Sequence, residues 1–324
     1  MKQKLTVIIP VYNGMPFLKE AVQSILNQTY EDFHLLIIDD GSTDESLEYL
    51  KTLTDPRIEV RYQSNIGLCA SLNQAVASSE SELIARLDQD DIALPFRLQE
   101  QIDFLNSHPD YACVLSRISR ISQSGKEFGS YETDFSEEIS DYMQILYGCI
   151  VHSTICFRRE GFLALGGYRS SLYPVDDYDL LLRFEEVYKV AVINKALIKY
   201  RIHSQAGTFK VFYDMELKTR YVEEMSGRRR SGSSEISLME FSHTLNQEPL
   251  WEKWKRNING RGRLMFRYAG LKIGEGKYVS GLYSLVGACL LTPKLTFQKL
   301  LSLYRQNENK MRVNQAEVRS LKSR

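Results

Sequence analysis

The stretch Glu82-Leu83-Ile84-Ala85-Arg86-Leu87-Asp88-Gln89-Asp90-Asp91 decides how the chain reads. It opens as a short, mostly apolar run of strand length, and three carboxylates follow almost at once. Behind them Pro95 suits the first turn of a helix, with Phe96, Leu98, Ile102 and Leu105 at near-helical spacing over 95–106. The carboxylates therefore stand at the carboxyl end of a strand, where open α/β sheets place ligands. Residues two apart in an extended chain project to the same side, so Asp88 and Asp90 converge on one point. Two hard oxygen donors there suit Mg²⁺ or Mn²⁺, since Mg²⁺ usually takes one or two carboxylates and completes its shell with phosphate oxygens and waters. The same residues also fit an acidic turn that caps the next helix through Asp91.

Working outward, Leu5-Thr6-Val7-Ile8-Ile9-Pro10-Val11-Tyr12 has the apolar, β-branched character of a central parallel strand. Asn13-Gly14 breaks it, and Pro16 opens a helix whose apolar face is Phe17, Ala21, Val22, Ile25 and Leu26. A second strand over 34–38 ends in Asp39-Asp40-Gly41-Ser42, and Ser42 or Thr43 is placed to cap the helix carrying Leu47 and Leu50. A third strand over 58–62 leads through Asn65-Ile66-Gly67 into a helix over 68–77. Strand and helix alternating in this way predict a layered α/β domain with a parallel sheet. Neither G-x-G-x-x-G nor G-x-x-x-x-G-K-[ST] is present, so the dinucleotide and P-loop readings lack their phosphate cradles. Two strands instead end in carboxylate pairs, Asp39-Asp40 and Asp88/Asp90, one suited to a base or ribose and the other to a metal on the phosphates.

The chain has 324 residues, 43% hydrophobic and 25% charged, and a net charge of +0. That balance conceals a split. Residues 251–324 carry 16 Lys and Arg against 4 Asp and Glu, so the remainder is acidic. An acidic body with a basic tail points to an anionic partner for the tail. The five cysteines form no C-x-x-C pair, which fits reduced thiols in a cytosolic compartment, and no signal peptide is legible at the start.

Four blocks, taken together, resemble the inverting glycosyltransferases of family 2. They are Val7-Ile8-Ile9-Pro10-Val11-Tyr12-Asn13 with Ser24-Ile25-Leu26-Asn27-Gln28-Thr29-Tyr30; Ile37-Ile38-Asp39-Asp40-Gly41-Ser42-Thr43-Asp44; Ala85-Arg86-Leu87-Asp88-Gln89-Asp90-Asp91 with Pro95, Arg97 and Leu98; and Gly166-Gly167-Tyr168-Arg169 followed by Asp176-Asp177-Tyr178-Asp179-Leu180. The resemblance implies an α/β fold of GT-A type, a nucleotide-binding, mostly parallel sheet flanked by helices, with a catalytic domain over 1–215 and a basic, mainly helical region over 216–324. It implies a nucleotide-diphosphate-sugar donor, a UDP-hexose, and a glycan or lipid-linked acceptor in surface polysaccharide synthesis. Pro10, Val11, Tyr12 and Asn13 would line the nucleoside pocket, Asp40 would accept from the base edge, and Asn65 and Gly67 would approach the nucleotide. Asp88 would contact ribose or metal and Asp90 would be the principal ligand of Mg²⁺ or Mn²⁺, with Asp91 supporting. The family often has an arginine after Asn-x-Gly that reaches the diphosphate. Here Ser71 and Leu72 stand nearest, and Arg86 is the substitute at hand.

The second half must supply the acceptor side. A helix is expected over 135–147, a strand over 151–157, and a helix beginning at Asp176-Asp177. Carboxylates at a helix N-terminus are stabilised by its dipole, so both also fit a structural role. The resemblance makes Asp177 the general base, with Asp176 orienting it or touching the acceptor, and gives His203 in Tyr200-Arg201-Ile202-His203 a metal or diphosphate contact. Arg228-Arg229-Arg230 followed by Ser231-Gly232-Ser233-Ser234 reads as an exposed linker. Beyond it, Trp251, Trp254, Phe266 and Tyr268 lie among lysines and arginines, and the apolar run over 278–291 is shorter than the roughly 20 residues that span a bilayer. This composition suits the anionic inner face of a cell membrane, placing the protein in the cytoplasm as a peripheral enzyme, or helices docked on the catalytic domain. Nucleic acid has no recognition motif to support it. A sugar nucleotidyltransferase and a non-catalytic nucleotide-sugar-binding relative are the rival functions.

Overall fold

The computed structural model describes residues 4–130, 138–139, 151–203 and 211–301. Strand β1 (Leu5–Val11) is buried at every position and takes parallel partners on both edges, β2 (Phe33–Asp39) and β4 (Leu83–Arg86). β3 (Ile58–Tyr62) adds in parallel outside β2. A strand flanked on both edges and covered on both faces must be apolar throughout, which is why this run does not alternate. Helices α1 (Leu18–Leu26), α2 (Ser46–Lys51) and α3 (Leu68–Ser78) make the crossovers, α1 burying Leu18, Ala21, Val22 and Ile25. In register, Val11 lies opposite Asp39 and Ile8 opposite Arg86, so the three central strands finish along one edge.

The rest of the sheet is built from β5 (Ile92–Ala93), β6 (Tyr111–Ser122), β7 (Glu127–Ser130), β8 (Glu138–Ile139), β9 (Cys156–Arg158) and β10 (Lys189–Ile202), with α4 (Arg97–Ser107), α5 (Arg159–Ala164) and α6 (Asp176–Val187) between them. The order is β3-β2-β1-β4-β9-β6-β10-β5, with β7 beside β6 and β8 beside β10. β9 runs antiparallel to both β4 and β6, and β10 antiparallel to β5, so the sheet is mixed and its parallel part is the one expected from the alternation. The strand expected over 151–157 begins instead as a 3₁₀ turn, His152–Thr154, and becomes extended at Cys156. The helix expected over 135–147 lies outside the described residues, except that Glu138-Ile139 pairs with β10.

The described residues form two compact units, the first holding 4–130, 138–139, 151–201 and 217–235, the second 202–203, 211–216 and 236–301. Helix α7 (Phe212–Arg230) enters the first unit from residue 217. Its Arg228-Arg229-Arg230 triplet is a last helical turn, not a linker. Arg229 pairs with Glu186 at 2.6 Å and with Glu235 at 2.5 Å, and Arg230 pairs with Glu185.

In the second unit, α8 (Leu238–Gln247) starts with a capping box between Ser237 and Glu240. α9 (Leu250–Gly274) and α10 (Tyr278–Leu291) pack through small residues. A Cβ on Gly281 would lie 2.6 Å from Ile273, and Gly287 and Gly262 abut Met265 and Thr292. The large apolar side chains of α10 point the other way, with Val279 87% and Leu290 78% exposed. No described helix is long and apolar enough to cross a membrane. Among the described residues Cys69, Cys113, Cys156 and Cys289 are free thiols.

Candidate active site

The carboxyl edge of β1, β2 and β4 is tied together by side chains. Asn13, in the left-handed region at φ 52°, accepts from the Thr43 and Asp44 N–H groups, while Ser42 and Ser46 hydroxyls accept from the Asn13 and Gly14 N–H groups. Ser42 therefore serves the β1 loop and does not cap α2. Asp40 is buried, and its carboxylate accepts from Gln63 Nε2 at 2.7 Å and from the Ile66 and Gly67 N–H groups at 2.9 Å. Burial alone raises this carboxyl, but those donors outweigh it and hold it below the ordinary range. Gly41, at φ +79°, lets the Asn65 backbone approach, since a Cβ there would lie 2.9 Å from Asn65 N. Asp40 thus builds the Asn65–Gly67 loop. Asp40→Ala should cost about 2–3 kcal/mol at neutral pH in urea unfolding, the value of charge-assisted hydrogen bonds to buried groups. Because the folded pKa is depressed, that contribution is present above the unfolded carboxylate value and fades as pH falls through the folded one.

The 86–91 stretch is held from three sides. Gln89 closes on Tyr12 with both ends of its amide, accepting from its N–H at 2.9 Å and donating to its carbonyl at 3.1 Å. Gly14 leaves room for that amide, since a Cβ would meet Gln89 Oε1 at 2.7 Å. Asp91 is fully buried, accepting from Ser153 Oγ at 2.5 Å and from Arg201 N–H at 2.9 Å. Burial, then Asp90 and Asp88, push its carboxyl up. Arg201 Nε also donates to the Asp90 carbonyl at 2.9 Å, and buried Arg97 donates to the carbonyls of Arg86 and Ile155. So Asp91 supports the loop from beneath, and Asp88, Gln89 and Asp90 remain half-buried at its surface.

Arg86 Nε and Nη2 both reach Asp88 Oδ1 at 2.8 Å, and the guanidinium is buried. It is a carboxylate clamp beneath the surface, and this corrects the expectation that it reaches the diphosphate in place of the missing arginine. Where that arginine was sought, Ser71 is buried and bonded to Gln63 and the Gly67 carbonyl. Asp88 and Asp90 supply two hard, accessible carboxylates, and the described residues gather no group of three His, Cys, Asp or Glu donors. This donor set fits an octahedral divalent cation completed by phosphate and water, not an all-protein cage.

The charges of Asp176 and Asp177 also bear on Arg86, together with that of Asp88. Both aspartates lie in the first turn of α6. Asp176 is buried, and burial, then Asp177, raise its carboxyl; the Cys69 thiol hydrogen-bonds it. Asp177 is the accessible member, its side chain 36% exposed. Burial works against its charge, but His152, the Tyr178 N–H and Arg86 prevail and hold its carboxyl below the ordinary range. The partly exposed Tyr173 ring stands close enough to feel Asp176, Cys69, Arg86 and Asp88.

Around Arg86, then, gather Asp88, Asp176 and Asp177, with Asp90 beside Asp88 and Asp91 in the same loop. Pro10 and Val11 are buried within β1, so of the first run Tyr12, half-exposed, is left to meet a ring. Asn65 is exposed and Gly67, at φ +87°, opens α3. His203 is buried just past β10, in the second unit. The sequence assigns no role to Gln89, Ser153, Arg201 or Tyr168, and leaves His152, a histidine near the inferred cleft, unassigned. For Ser153 and His152 the one available signal was polar residues inside an apolar run, His152-Ser153-Thr154.

A family model described as Glycosyl transferase family 2 matches residues 6–166. The chain is 33% identical over 211 residues to EpsE of Bacillus subtilis (strain 168), covering 63% of this chain and 74% of that one. It is 32% identical over 209 residues to the O-antigen biosynthesis glycosyltransferase WbnJ of Escherichia coli, covering 62% of this chain and 81% of that one. Among solved structures, S. aureus TarS 1–349 in complex with UDP-GlcNAc shares the fold, with a TM-score of 0.56 at 18% identity over 90% of this chain and 91% of that one. The class is thereby defined: the chain is a glycosyltransferase with the GT-A-type arrangement its sequence implied. It belongs to glycosyltransferase family 2.

Proposed function

We propose that this enzyme moves a hexose from a UDP-sugar to a hydroxyl of a glycan or lipid-linked acceptor, with inversion at the anomeric carbon, in bacterial surface polysaccharide synthesis. The observation that carries the reading is that the charges of Asp88, Asp176 and Asp177 all bear on one buried guanidinium, Arg86, which Asp88 also contacts at 2.8 Å. Tyr12 packs on the base, above the loop that Asp40 organises. Asp88 and Asp90 would hold Mg²⁺ or Mn²⁺, with phosphate oxygens and waters completing its shell. When bound, the cation offsets the charge that builds on the leaving nucleoside diphosphate. Asp177 accepts the proton of the acceptor hydroxyl as its oxygen attacks opposite the leaving group. Its depressed carboxyl keeps it charged and ready at neutral pH. The kinship with an O-antigen biosynthesis enzyme supports the polysaccharide role, and UDP-GlcNAc bound to TarS supports the donor class.

Purified protein with Mn²⁺ and a panel of UDP-hexoses should release UDP in the presence of glycan acceptors. Pyrophosphate instead indicates a nucleotidyltransferase, and binding without turnover a non-catalytic relative; either outcome overturns the proposal.

The basic C-terminal region from residue 216 is proposed to rest on the anionic inner face of the membrane. Support comes from the outward apolar face of α10 and the surrounding lysines and arginines, each worth about 1 kcal/mol near an anionic surface. Vesicles with phosphatidylglycerol should pull down the full chain, and Val279→Asp with Leu290→Asp should abolish this. Equal recovery with and without those changes removes the idea.

A further inference from the structure

Two buried polar side chains close to Asp177 are not used by the proposed mechanism. His152 and Tyr168 are each 4% exposed, and His152 Nε2 lies 2.5 Å from the Tyr168 hydroxyl. His152 Nδ1 lies 3.7 Å from Asp177 Oδ2 and has no other partner at hydrogen-bond distance among the described residues. Tyr168 is itself fixed: Asn73 accepts from its N–H at 2.8 Å and donates to its carbonyl at 2.9 Å. Gly167, at φ +70°, brings the chain against the Asn73 side chain, where a Cβ would meet Oδ1 at 2.5 Å.

The direction of the hydrogens follows from what each group can do. Arg86, a donor only, lies beside the Tyr168 hydroxyl. That oxygen receives on the Arg86 side, which leaves its own hydrogen available to His152 Nε2 at 2.5 Å. An imidazole that accepts at Nε2 carries its hydrogen on Nδ1, the nitrogen that faces Asp177. Burial keeps the phenol protonated, far above its ordinary value. Asp176 has a donor of its own in the Cys69 thiol.

We propose that His152, locked by Tyr168 in the Nδ1–H tautomer, is the positioning residue of the base: it takes one oxygen of Asp177 and turns the other toward the acceptor hydroxyl. This rests on the reading of Asp177 as the base. The 3.7 Å separation is longer than a closed hydrogen bond, as contacts at catalytic groups often are before substrate tightens them. His152 touches no reacting atom. It acts through Asp177.

Two measurements test this. In ¹⁵N-histidine-labelled full-length protein, two-bond ¹H–¹⁵N spectra should show His152 (identified by its loss in His152→Asn) protonated at Nδ1, and Tyr168→Phe should release that preference. Protonation at Nε2 overturns the proposal, with or without any activity assay. In kinetics with the UDP-hexose panel, Mn²⁺ and octyl glycosides, His152→Leu should lower kcat on the order of 10²-fold, the effect of misplacing a reacting group by about an ångström. KM for the UDP-sugar should be unchanged. His152→Asn, whose amide N–H takes the place of Nδ1–H, should stay within about tenfold of wild type. In an Asp177→Asn background His152→Leu should have no further effect. A full-rate His152→Leu, a fall in UDP affinity that matches the fall in rate, or full additivity with Asp177→Asn removes this inference and leaves the base reading intact. A full-rate Asp177→Asn removes both.

Discussion

Asp177→Asn lowers the transfer rate by roughly 10²–10⁴-fold, the range expected for loss of a general base, while UDP and Mn²⁺ bind as before. A sugar hydroxyl is a weak acid, and its proton must leave as its oxygen bonds the anomeric carbon. The proposed base is Asp177 because it is the accessible member of the pair at the start of α6 and its charge, like that of Asp88, bears on Arg86. The amide keeps the shape and the helix N-terminus but accepts no proton. Steady-state kinetics separate the effects, because a loss at the base lowers kcat and leaves KM for the donor alone. Transfer at wild-type rate by Asp177→Asn excludes this residue. A similar loss in Asp176→Asn, with Asp177 intact, is expected to act through stability, because Asp176 is buried and hydrogen-bonded to Cys69.

The second large effect lies on the donor side. Asp90→Ala should reduce UDP affinity in Mn²⁺ by about 10²-fold, the upper end of what changes around metal sites produce. In EDTA, variant and wild type should bind UDP alike. Calorimetry with and without chelator separates a lost cation site from a damaged pocket. If wild-type affinity is indifferent to EDTA, metal dependence is wrong and Asp88 and Asp90 contact ribose or hydroxyls instead. The pattern differs from that of Asp177→Asn in kind: one variant binds without turning over, the other fails to bind.

What the sequence made legible follows from the range of the forces involved. β1, β2 and β4 are buried parallel strands, so their apolar runs stand out without reference to any partner, and the acidic residues at their ends mark the edge where chemistry gathers. Asp88 and Asp90 were readable for that reason, whereas the Asp176-Asp177 pair, at the start of α6, stood out only through the resemblance. The contacts that organise them were not, because each joins distant segments: Gln89 meets Tyr12 across 77 positions, Ser153 meets Asp91 across 62, and Arg201 meets Asp91 across 110. A glutamine between two aspartates carries no periodicity that announces a clasp. The β-branched residues around His152-Ser153-Thr154 looked like strand, whereas the 3₁₀ turn there answers to the Ser153–Asp91 bond and to Tyr168. The arginine triplet looked solvated because Glu186 and Glu185, the partners of Arg229 and Arg230, lie 43 and 45 positions away in the chain. Asp40 was expected to read a base edge, yet most of its acceptor capacity is taken by Gln63, Ile66 and Gly67.

The Gln89 clasp reaches beyond its own loop. One amide satisfies both main-chain groups of Tyr12, so the segment proposed to receive the base and the segment that bears Asp88 and Asp90 are in mutual register before any guest arrives. Ordering that is finished at folding is not repeated at each encounter, which leaves more of the contact free energy available for affinity. In the proposed reading, a site assembled in this way is a rigid template that selects a donor by the fixed span between Tyr12 and Asp88 and Asp90 and has little capacity to adapt to a longer or shorter one.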